Sequence, residues 1–138
     1  MRTPLTALML STGLLLAAVP AIAHHSFAAE YDREKPIKLV GVVTKMEWIN
    51  PHAWIHLDVK KSDGKVEKWE IETGNPNALI RRGFTKASLP QGTEITVEGY
   101  QAKDGGMRAN GRDLVLKDGK KLFVGSSGTG APDERPEK

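Results

Sequence analysis

Apolar and polar residues alternate with a period of two through most of this chain, a pattern that buries one face of a sheet and cannot build a helical core. Val40, Val42, Thr44, Met46 and Trp48 fall on one side of a first strand, with Lys45 and Glu47 opposite. Ala53, Ile55, Leu57 and Val59 form the next apolar row, alternating with Trp54, His56, Asp58 and Lys60. A third strand over Val66 to Glu72 puts Trp69 and Ile71 on one side. Ile95 and Val97 mark a fourth that ends near Gly99 and Tyr100; Arg108 to Leu116 is a fifth, and Lys121 to Val124 a short return strand. Between them stand turn signals: Asn50-Pro51, Asp63-Gly64, Pro90-Gln91-Gly92, Asp104-Gly105-Gly106 and Asp118-Gly119.

One segment breaks the alternation. Asn75 is a capping residue and Pro76 suits a first helical position. Arg81 and Arg82 complement a helix's negative end, and Gly83 suits a left-handed stop. The spacing predicts a short helix over about 76–82, holding Leu79 and Ile80 against the core. Three strands, a helix and two more strands predict an all-β fold with one short helix, a five-stranded OB-like Greek-key barrel that bends its first strand near Gly41. An open β-sandwich of the same strands is the alternative.

The two ends carry a different chemistry. Met1-Arg2, an apolar run from Leu5 to Val19 and Ala21-Ile22-Ala23 have the form of a secretory signal with its cleavage site. The run is shorter than the roughly 20 residues a membrane span needs. Residues 1–23 are therefore expected to be removed on export to the periplasm or beyond, leaving a mature chain that begins at His24 and has no integral membrane segment. Residues 24–36 read as an N-terminal arm, 37–124 as the barrel domain and 125–138 as a disordered tail without large apolar residues. Removing the signal takes away Arg2 and lowers the formal net charge from +3 to +2. The remaining Lys and Arg interleave with Asp and Glu, as in Lys65-Val66-Glu67-Lys68-Trp69-Glu70, so no basic stripe for nucleic acid is expected. The chain has no cysteine, which excludes disulfides, thiolate metal sites and cysteine nucleophiles.

The stretch His24-His25-Ser26-Phe27-Ala28-Ala29-Glu30-Tyr31-Asp32, followed by Gly41 to His52 with its Trp48-Ile49-Asn50-Pro51-His52 run, resembles a family of small exported bacterial proteins of unknown function. The resemblance continues through Leu79–Gly83, Thr96–Gly99, Ala102–Gly105 and Leu116–Gly119. It implies an exported β-rich protein, and brings no activity or catalytic residue with it.

Chemistry must come from the residues themselves. None of the phosphate-loop, dinucleotide, zinc-protease or serine-hydrolase motifs is present. Glu70 and Glu72 share a strand face that reads as solvated, and Ser26 beside His25 has neither an orienting acid nor an oxyanion hole. No enzyme is expected. All four histidines, His24, His25, His52 and His56, lie within the first part of the mature chain. After cleavage His24 would carry both a free amine and an imidazole, a chelating pair that with a third nitrogen favours copper. In a regular strand His52 and His56 would stand roughly 13 Å apart and could not share one ion. His52 follows the Asn50-Pro51 turn, within reach of the arm, so His24 with His52, assisted by His25 or His56, is the expected copper set. The alternative is a non-catalytic binding module in which Trp54, joined by Tyr100, offers a stacking platform to a small ligand, sugar or peptide.

Overall fold

In the computed structural model, which describes residues 27–126 and residue 129, the central hairpin is the one the alternation predicts. Strand β2 (Trp54–Lys60) pairs antiparallel with β3 (Val66–Glu72) from Trp54↔Glu72 to Lys60↔Val66. Ala53, Ile55, Leu57, Val59, Trp69 and Ile71 all point inward and are buried. The signal segment, His24, His25, Ser26 and most of the expected tail lie outside the described residues.

A single helical turn, α1 (Phe27–Glu30), leads into β1 (Tyr31–Glu47), which is long enough to serve two neighbours. Its first part pairs with β4 (Glu94–Ala102) and its last part with β2. Strand β4 pairs with β5 (Arg108–Leu116), and β5 returns to β3 through a parallel seam of Glu70↔Arg108, Ile71↔Ala109 and Glu72↔Asn110. The strands thus follow one another in a ring, β1-β2-β3-β5-β4, with the helix between the third and fourth, as the order of elements predicts. The ring is not a clean barrel. Past the short seam β3 and β5 part, and the end of β6 (Lys121–Phe123) fills the gap: the Gly74 amide donates to the Val124 carbonyl, and the Val124 amide to Arg112.

The helix α2 (Pro76–Arg81) is built as its sequence demands. Asn75 accepts a hydrogen bond from the Ala78 amide, proline occupies the first turn, and Gly83 adopts φ +80° just beyond the end. Leu79 is fully buried, but Ile80 is 52% exposed and does not pack inward. The helix is only six residues long, and its buried stripe carries Pro76, Ala78 and Leu79, leaving Ile80 on the opposite side.

The first strand departs from the expected phase. Val40 and Val42 face outward, whereas Gly41 and Val43 face the core, with Ile37 and Leu39 packed partly against it. The register slips between Val43 and Lys45, and beyond that bulge Met46 and Trp48 take over the inward side. One extra residue in a strand exchanges its faces, and an alternation pattern cannot register it. Gly41 is where β1 passes closest to β2: a Cβ there would stand 2.8 Å from the Asp58 carbonyl oxygen.

Two further segments belong to the body. Tyr31, in the stretch read as an arm, is 2% exposed and pairs with Ala102 on β4. After β6, Gly125 accepts a hydrogen bond from Arg82, Ser126 from Asn110, and Thr129 from Arg112. Among the described residues no helix is long and apolar enough to cross a membrane.

Candidate functional site

The ring arranges the outward residues in levels, because directly paired positions point to the same side of a sheet. Lys45, His56, Glu70 and Arg108 stand on one level of β1, β2, β3 and β5. Glu47, Trp54, Glu72 and Asn110 stand on the next, and Asn110 pairs onward with Tyr100 of β4. Trp54 and Tyr100 therefore share a level but are separated by Glu72 and Asn110. Tyr100 packs edge-on against Phe27 at 5.4 Å between ring centroids.

His52 lies just outside β2, where the backbone is fastened on both sides. The Ala53 amide donates to Gly74 and the Thr73 amide donates back to Ala53, carrying the β2–β3 pairing past the strand ends. This fixes the His52 ring so that Nδ1 lies 3.0 Å from the Thr73 carbonyl oxygen and 3.5 Å from Oε1 of Glu72. A carbonyl oxygen only accepts, so Nδ1 carries the proton, and in the neutral ring Nε2 holds the electron pair. That is the tautomer of a metal-binding imidazole whose far nitrogen is anchored.

The sequence pattern places Glu72 on a solvated face with Glu70. Glu70 is exposed as expected, but Glu72 is only 8% exposed. The cause is tertiary: the start of β1 delivers Tyr31, whose hydroxyl donates to Oε2 of Glu72 at 2.5 Å. Burial, and then this hydrogen bond to a carboxylate, push the Tyr31 hydroxyl's pKa well above its ordinary value. Phe27 packs on Tyr31 at 5.8 Å between centroids, next to the residue that covers Glu72. Next to Glu72 around the ring, Asn110 is fully buried, donates to Ser126, and keeps its side-chain oxygen without a hydrogen-bond partner.

His56 has different surroundings. Its Nε2 lies 3.6 Å from Oε1 of Glu47, too long for a hydrogen bond, and it is buried without a partner. Lys45 hydrogen-bonds the same carboxylate and, more than His56 does, lowers the pKa of Glu47. The two histidines thus answer to two different glutamates. His24 and His25 lie outside the described residues, and among the described residues no group of three or more His, Cys, Asp or Glu side chains is placed to hold a metal ion.

Sequence reasoning missed Tyr31, Glu72 and Thr73 as parts of the His52 surroundings. Glu72 did carry a signal, standing at the end of a strand opposite the turn that holds His52. Tyr31 has none beyond being one of few aromatics outside the predicted strands.

No curated protein matches the chain. Residues 12–111 match the model of DUF6152, and since that span covers well over half of the sequence, the chain belongs to this family of unknown function.

Proposed function

We propose that this is an exported, non-catalytic periplasmic protein that binds copper(II) at the amino terminus exposed by removal of residues 1–23. The amine and imidazole of His24 chelate the ion, His52 contributes Nε2, and His25 assists; His56 stands apart, with its Nε2 buried beside Glu47. The observation that carries this reading is the anchoring of His52 through Nδ1 to the Thr73 carbonyl, which leaves the electron pair on Nε2. Chain length is compatible with it. His24 stands three residues before Phe27, within about 10 Å along an extended chain. Phe27 in turn packs on Tyr31, whose hydroxyl sits on the carboxylate that faces His52. Three nitrogen donors suit copper(II) by ligand type and geometry. The aromatic platform has weaker support, since Tyr100 is engaged by Phe27 and separated from Trp54.

Calorimetric titration of Cu(II) into four proteins tests the proposal. The mature chain should bind, while a chain with one extra residue before His24 should bind far more weakly, because its amine is displaced although every histidine survives. His52→Ala should also weaken binding and Trp54→Ala should leave it unchanged. Equal affinity of the mature and extended chains would sink the chelate. An affinity for a sugar or peptide that depends on Trp54 would favour the aromatic face.

A further inference from the structure

We infer that Glu72 is the positioning residue of this site, one buried carboxylate that sets both halves of the ligand arrangement. The inference rests on the copper reading and concerns a residue that binds no metal itself. Its two oxygens are divided between two parts of the chain 21 residues apart in sequence, both ahead of β2: Oε2 accepts a hydrogen bond from the Tyr31 hydroxyl, and Oε1 faces Nδ1 of His52. Tyr31 opens β1, directly after the turn that connects to the N-terminal residues, while His52 belongs to the loop between β1 and β2.

Position and chemistry both point to this role. An outward, edge-of-strand site that becomes buried is best filled by an apolar or small hydroxyl side chain, since a buried carboxylate must recover its hydration through hydrogen bonds. Glu72 recovers it from the very residue that covers it. Its neighbour Thr73 supplies the carbonyl that accepts from His52, so consecutive residues of one strand end present two oxygens to one ring nitrogen, at 3.0 and 3.5 Å. A carboxylate and a carbonyl behind an imidazole fix the ring and raise the basicity of its far nitrogen, and loss of such a partner typically weakens metal binding 10–100-fold.

Glu72→Gln keeps the shape, leaves an oxygen for Tyr31 and removes the negative charge behind His52. In the mature protein it should weaken Cu(II) binding by about 10–100-fold and change the copper electron paramagnetic resonance spectrum, with the thermal melting of the metal-free protein little changed. Wild-type affinity together with a wild-type spectrum overturns the inference. If Glu72→Gln does not fold, Tyr31→Phe decides: it deletes only the hydroxyl and should weaken binding in the same direction by less, whereas an unchanged affinity and spectrum overturn the inference. If the wild-type mature protein binds no copper, the copper reading fails separately. The NMR signal of the His52 Nδ1 proton in metal-free protein then judges Glu72: a shift in Glu72→Gln supports its hold on the ring, and an unmoved signal overturns it.

Discussion

The β2–β3 hairpin has two faces made from the same two strands, and they obey different rules. On the inner face Ile55, Leu57, Trp69 and Ile71 are each at most 7% exposed, and their neighbours are other apolar side chains of the ring. Burial there follows from alternation, because any residue in phase goes into the core. On the outer face Glu70 and Glu72 stand two positions apart with the same chemistry, yet one is exposed and the other buried. What separates them is the segment that crosses: Tyr31 reaches Glu72. The inner face is a property of the strand; the outer face is a property of whatever lies on it. The polar groups that can act chemically are on the second kind of surface.

The sharpest way to break this comparison is to empty the inner face. Trp69→Ala should destabilise the fold by about 3–5 kcal/mol, the usual cost of removing a large buried aromatic, measured by urea denaturation. A loss comparable to that of an exposed site would mean that the hairpin's inner face is not the core. Smaller, and confined to the outer face, is the effect of Tyr31→Phe. It leaves one oxygen of the buried Glu72 without its partner, at about 1–3 kcal/mol. The same variant has a signature in alkali. Because the Tyr31 pKa is raised in the folded state, its contribution is fully present below the ordinary tyrosine value of 10.0 and is lost as pH rises above it, where the unfolded chain ionises first. Stability of the wild type should therefore fall in alkali more steeply than that of Tyr31→Phe, and parallel curves would show that the hydroxyl is not held by Glu72.

The smallest effect belongs to Glu47, partly exposed beside Lys45 and His56. The Lys45 hydrogen bond holds its carboxyl below the ordinary value of 4.5. Its contribution is present above that value and lost as pH falls through the lowered one. Glu47→Gln should remove a slight part of the acid dependence of unfolding and nothing at neutral pH. A large neutral-pH loss would mean that the His56 level is organised like the His52 level, and the distinction between the two histidines would fall.

Strands, turns and the capped helix were legible in the sequence because each rests on local physics. Period two, the hairpin at Asp63-Gly64, the Asn75 cap with Pro76 and the Gly83 stop all act within a few residues of chain. The ring itself was legible at one remove, through the order of elements, although no residue near Arg108 announces a parallel partner in Glu70. The face of β1 was not legible, because a single-residue bulge between Val43 and Lys45 reverses it without altering the composition. His52 was legible as a candidate from its place after the Asn50-Pro51 turn. Its partners were not, since Glu72 and Thr73 stand 20 and 21 residues onward and Tyr31, which reaches Glu72, stands 21 residues back. The sequence by itself determined where the chain extends, turns and caps, and which side of β2 and β3 is apolar. Only the tertiary structure decided that Glu72 is buried, that His52 points Nδ1 at a carbonyl, and that Tyr31 joins them, because those contacts bring together segments 20 or more residues apart rather than following any local preference.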